Sequence, residues 1–136
     1  MKFELVVDAN NQWFVTVWVV FQNRKYRVHF KVDTGCNGLV LSHTTLMGMG
    51  FSTTETSLAK LPVITGRLAS GDKSQFKKLG AVSLFQDKAQ NIQVCKVDAI
   101  CHSTHETHDL IGTEVLRQFS NVSFGLIGDK YMELMQ

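Results

Sequence analysis

The chain has no long hydrophobic run: its longest apolar stretch, Trp13 to Phe21, spans nine residues and is interrupted by Thr16. That is less than half of the roughly 20 residues a membrane-spanning helix needs, so the stretch reads as a strand and no membrane partner is expected. Charge of one sign is also scarce. Fourteen Lys and Arg stand against twelve Asp and Glu, a formal charge of +2, which supplies no basic surface for nucleic acid. Met1-Lys2-Phe3-Glu4 lacks the basic start, apolar run and small-residue cleavage site of a signal peptide, so export is not expected. The three cysteines, Cys36, Cys95 and Cys101, are odd in number and follow no framework spacing. Free thiols in a reducing compartment are the expectation, and with them a cytoplasmic location. No internal repeat, low-complexity tract or linker divides the 136 residues, and one domain over 1–136 is expected.

What the chain does have is Val, Ile, Thr and Phe in short runs bounded by Asn, Gly and Asp, the composition of strands. Phe3 to Val7 reads as a strand ending at Asp8-Ala9-Asn10-Asn11. Trp13 to Phe21 then pairs with Tyr26 to Val32 across a turn at Gln22-Asn23-Arg24-Lys25. The second partner alternates strictly, with Tyr26, Val28, Phe30 and Val32 on the face expected to be buried. Leu39-Val40-Leu41 re-enters the core, and Ser42 can cap a short helical turn through Leu46 and Met47. A polar stretch from Leu58 to Phe76, punctuated by Pro62, Gly66 and Gly71, suggests a mobile hairpin. Core strands resume at Leu79 to Phe85 and Ile92 to Ile100. Thr113 is expected to cap a helix from Glu114 to Phe119, and a final hairpin of Val122 to Ile127 and Tyr131 to Leu134 turns at Gly128-Asp129.

The sharpest chemical signal is Asp33-Thr34-Gly35, set between the alternating strand and Leu39-Val40-Leu41. A carboxylate that activates water must be held at a fixed orientation, and a strand-to-turn junction is a rigid platform for it. Gly35 lets backbone amides approach that carboxylate. Alone, such a tripeptide is more often a turn whose Asp caps its own backbone. A second segment, Leu110-Ile111-Gly112-Thr113-Glu114-Val115-Leu116, follows about 75 residues later and changes the balance. The ordered pair resembles the retropepsin-like (clan AA) aspartic proteases, the retroviral enzymes and their single-domain prokaryotic relatives. Leu46-Met47-Gly48-Met49-Gly50 is similar to the Leu-Gly-Leu segment of the prokaryotic members.

The resemblance implies a mostly β fold, a closed acid-protease-type barrel or sandwich with one short C-terminal helix, assembling as a homodimer. It implies an aspartic endopeptidase with a peptide or protein substrate, no cofactor and no metal. Asp33, Thr34 and Gly35 take the catalytic positions, while Leu110, Ile111 and Gly112 pack beneath the active-site loop, Gly112 leaving room for close backbone passage. Thr65 to Asp72 aligns with the flap that closes over substrate, which assigns Ala69, Ser70, Gly71 and Asp72 to substrate binding within a flap over 63–78.

One aspartate implies two chains. The chemistry needs two carboxyls sharing a proton, and this sequence has no second Asp-Thr-Gly or Asp-Ser-Gly. A two-fold axis supplies the missing group, because a residue on it meets its own copy. Phe3 to Val7 and Tyr131 to Leu134 are apolar enough to be interface strands. The alternative is a dimer of the same fold that binds a peptide or protein partner without cutting it. The sequence departs from the retroviral pattern at Cys36, where Ala or Ser is common, and at Asp109, where Asn is usual. Cys95, Cys101, His102, His105 and His108 form a further constellation, but their spacing matches no common zinc pattern, and surface histidines beside a buried Cys95 are the simpler reading.

Overall fold

The computed structural model describes residues 1–51, 59–67, 71–102 and 108–136. Among them β1 (Lys2–Val7) leads into β2 (Trp13–Phe21) through a turn that Asp8 organises: its Oδ1 accepts from the N–H groups of Asn10 and Gln12, each at 2.9 Å. β2 and β3 (Arg24–Val32) form a hairpin tighter than expected. Gln22 and Asn23 alone make the turn, with φ of 49° and 62°, the twist-matching conformation of a two-residue loop, and pairing begins at Phe21 and Arg24. Val15, Val17, Val19 and Phe21 of β2 and Val28 and Phe30 of β3 enter the core. Tyr26, expected with them, is exposed, its ring lying against Gly48 outside the core.

The remaining elements in order are β4 (Leu39–Val40), α1 (His43–Gly48), β5 (Val63–Arg67), β6 (Lys73–Phe85), β7 (Gln93–His102), β8 (Leu110–Ile111), α2 (Thr113–Leu116), β9 (Asn121–Gly125) and β10 (Tyr131–Met135). Strands pair in the order β5-β6-β7-β4-β8-β3-β2-β1-β10-β9, and β6 pairs back onto β2 at Trp18–Val20. That pairing closes a ring of β2, β3, β8, β4, β7 and β6. The fold is therefore a mostly β, closed barrel with short helices, from which the β5–β6 hairpin and a β1-β10-β9 sheet extend. No helix among the described residues is long and apolar enough to cross a membrane.

Register across the ring separates core from cleft. Val32, Ile111, Leu39, Ala99 and Gly80 align strand to strand, and Ile111, Leu39 and Ala99 are buried in the core. The adjacent row, Lys31, Leu110, Val40, Ile100 and Lys78, lines a cleft instead. Alternation along each strand makes the two rows face opposite ways.

Two expectations need correction. β6 begins at Lys73, so the last residues of the polar stretch, Lys73 to Phe76, and the following core strand are one continuous strand. Helix α2 is shorter than expected and Thr113 does not cap it: Gly112 holds the cap position, Thr113 is the first helical residue, and the helix ends at Leu116. Thr113 is drawn in because its N–H is taken up by a neighbouring loop. Phe119 is still buried, reached through a turn. The chain ends are tied to each other: the Met1 ammonium donates to the Leu134 carbonyl at 2.7 Å, and the Leu134 N–H donates back to Met1 at 2.8 Å.

Candidate active site

Asp33 leaves the end of β3 half-buried, and its backbone is held on both sides. Its N–H donates to the Ile111 carbonyl at 3.0 Å and its carbonyl accepts from the Cys36 N–H at 3.1 Å. The side chain is oriented by the same loop, since Oδ1 accepts from the Gly35 N–H at 2.9 Å. Thr34 and Gly35 are exposed at the loop apex. A carboxylate fixed by a backbone amide two residues on has little freedom to rotate.

Leu110-Ile111-Gly112 runs directly behind this loop. The Thr113 N–H donates to the Cys36 carbonyl at 2.9 Å and the Glu114 N–H to the Asn37 carbonyl at 2.6 Å, so the free amides at the start of α2 close onto the loop's carbonyls. Gly112 is the point of closest passage: a Cβ there would stand 2.6 Å from the Gly38 carbonyl oxygen and nearer still to that of Cys36. Only glycine fits.

Asp109, which the sequence marks only as a departure, anchors the assembly from below. Its carboxylate accepts from the Ser42 N–H and the Thr45 hydroxyl, both at 2.7 Å, while its carbonyl accepts from the Lys31 N–H at 2.8 Å. Ser42 in turn caps α1 by accepting from the Thr45 N–H at 3.0 Å. The Ser42 cap is legible in the sequence. Its third member lies 64 residues beyond Thr45 and carried no local signal.

The cleft that Asp33 opens onto has a volume of about 1120 Å³. Leu110, Val40 and Ile100 form an apolar floor with Lys31 and Lys78 at its two ends. The β5–β6 hairpin supplies the opposite wall through Ile64 and Phe76, the Phe76 ring lying across Gly66. Near the hairpin end, Arg67 donates from Nη1 to the Gly71 carbonyl at 3.1 Å, and Gly71 and Asp72 are exposed. Ala69 and Ser70 lie outside the described residues.

Cys36 sits half-buried in the Asp33 loop, its thiol 3.5 Å from the Gly38 carbonyl. Burial pushes its pKa up, and the negative charges of Asp33 and Glu114 push the same way. It therefore stays a thiol at neutral pH. Cys95 and Cys101 are buried on β7, and burial pushes the Cys95 thiol up to about 11. His108 stands edge-on to Phe14 at the cleft, ring centroids 6.2 Å apart, whereas His105 and the side chain of His102 lie outside the described residues. Among the described residues no three His, Cys, Asp or Glu side chains gather to hold a metal ion.

No family model matches the chain and no curated protein matches it. Among solved structures it is similar to a retropepsin-like aspartic protease from Rickettsia conorii, with a TM-score of 0.63 at 17% sequence identity, covering 97% of this chain and 89% of that one. The likeness is one of fold: a closed β-barrel of the retropepsin kind.

Proposed function

We propose that the protein is an aspartic endopeptidase whose active site forms when two copies bring their Asp33 carboxylates together. The observation that carries this reading is the fixed Asp33 carboxylate, clamped by the Gly35 amide on a loop laced to Ile111, Thr113 and Glu114, at the edge of a cleft wide enough for a peptide. The retropepsin-type fold supports it. Two such carboxylates about 3 Å apart cannot both ionise, so one proton is shared. The ionised member takes a proton from the attacking water as the protonated member donates to the peptide carbonyl oxygen, and the resulting tetrahedral species collapses with protonation of the leaving amine.

A substrate would lie extended over the Leu110-Val40-Ile100 floor, beneath the β5–β6 hairpin acting as a flap. Thr34, exposed at the loop apex, would bond to the partner's loop in such a dimer. Gly71 and Asp72 belong to the flap's substrate-facing end.

Asp33→Asn tests the reading. Cleavage of a peptide library should fall about 1000-fold or more, with the thermal melt unchanged. The wild-type rate should trace a bell on the acidic to near-neutral side, since one carboxyl must be protonated and the other ionised. Undiminished cleavage by the mutant would end the aspartic-protease reading.

A further inference from the structure

The ten-stranded sheet terminates on β9, and among the described residues no strand pairs with its outer edge. The direction of the free groups follows from the ladder. Leu134 exchanges hydrogen bonds with Met1, so on β10 it faces away from β9 and Tyr131, Glu133 and Met135 face toward it. Their partners Gly125, Ser123 and Asn121 are satisfied, which leaves the N–H and C=O groups of Val122 and Phe124 pointing outward.

An open edge is normally protected by charge, proline or a bulge. This one has none of them. From Gln118 to Gly128 the chain carries no charged residue, and no proline falls in the run. Beyond the strand the same segment exposes Leu126 at 47% and Ile127 at 96%, with Val6 of β1 exposed at 53%. The Phe124 ring packs on Trp13 at 5.0 Å between centroids, and Trp13 begins the strand whose next residue pairs with Lys31, two residues before Asp33. The open edge therefore lies at the end of the barrel that carries Asp33.

We infer that this edge is the seam between two copies of the chain: β9 pairs antiparallel with its own counterpart across a two-fold axis near Ser123, with Leu126 and Ile127 buried alongside. The inference rests on the two-chain reading above and replaces the chain ends as the expected interface strands, since β1 and β10 already pair with each other. Charge agrees with an antiparallel pairing. The uncharged run is bounded by Arg117 on one side and Asp129 on the other, each six residues from Ser123, so Arg117 comes to the same end of the seam as Asp129 of the partner subunit.

Sedimentation of wild type, Ile127→Asp and Val122→Pro over a concentration series tests the seam. Ile127 is almost fully exposed, so Asp there leaves the monomer's fold intact, and Val122→Pro removes an outward N–H without touching the β9–β10 ladder. Wild type should dimerise, and each variant should weaken the dimer by about 100-fold or more while keeping a native melt, with any peptide cleavage lost in proportion to dimer. A variant that dimerises as tightly as wild type overturns the seam and leaves the two-carboxylate reading standing. Wild type that stays monomeric throughout overturns the seam, and if that monomer cleaves peptides it overturns the two-chain reading as well. A wild-type dimer broken by both variants but cleaving no peptide supports the seam and removes the protease reading alone.

Discussion

The loop that carries Asp33 and the hairpin that faces it across the cleft satisfy their backbones in different ways. Asp33, Cys36 and Asn37 bond to Ile111, Thr113 and Glu114, residues far away in sequence that belong to the barrel. The β5–β6 hairpin is joined to the barrel at its base, where Phe76 and Lys77 of β6 also pair with β7, while β5 pairs with β6 from Val63–Lys77 to Arg67–Lys73, Arg67 bonds to Gly71, and most of β5 is exposed. One wall is held by long-range contacts that cannot shift without disturbing the core. The other stands at the end of the sheet, its outer strand β5 pairing with β6 alone among the described residues. A cleft that positions a carboxylate and admits a chain needs both kinds of wall.

The most damaging way to test this contrast is Gly112→Ala. The added methyl meets two backbone carbonyls, those of Cys36 and Gly38, so the Asp33 loop must move as a whole. A loss of about 3 kcal/mol or more in urea unfolding is expected, together with loss of any peptide cleavage.

Asp109→Ala attacks the same wall from behind. It removes the acceptor for Ser42 and Thr45 and should cost about 2–3 kcal/mol, with Asp109→Asn recovering roughly half because one acceptor oxygen remains. Chemical denaturation of the three proteins would show the order.

Raising the pH probes the barrel and leaves the hairpin aside. The Cys95 thiol ionises near 9.0 when unfolded and at about 11 when folded, so its contribution is fully present below pH 9 and is lost as pH rises toward 11. The loss is at most about 3 kcal/mol, and Cys95→Val should flatten that part of the stability curve relative to wild type.

The smallest effect belongs to the hairpin. Gly71 has φ of +88° with open space around it, so Gly71→Ala strains the turn without a clash. A global cost of about 1 kcal/mol or less is expected, with cleavage falling more than stability. A melt shifted as far as that of Gly112→Ala would mean the two walls are equally coupled to the core.

Local signals carried much of the fold. An apolar run marked β2, alternation marked β3, the Ser42 cap marked α1, and Asp33-Thr34-Gly35 with Leu110-Ile111-Gly112 marked two segments that do meet in space. What local reasoning misplaced depends on distant partners. Thr113 looked like a cap because hydroxyl residues favour that position, but its N–H bonds to the Cys36 carbonyl, which moves the helix start one residue earlier. The continuity of β6 from Lys73 was hidden by Lys73, Ser74, Gln75, Lys77 and Lys78, polar residues that stay outside the core, Lys78 lining the cleft.

By itself the sequence determined the strand-rich character and the position of the Asp33-Thr34-Gly35 turn, because periodicity and the conformational preferences of Gly, Asp and Asn act over a few residues. Only the tertiary structure decided that β6 closes the ring on β2, that Asp109 braces α1, that β1 and β10 pair with each other and that no strand among the described residues pairs with the outer edge of β9. Those outcomes depend on strand register and on which backbone groups remain unsatisfied once the barrel has closed, and no short window of residues contains that information.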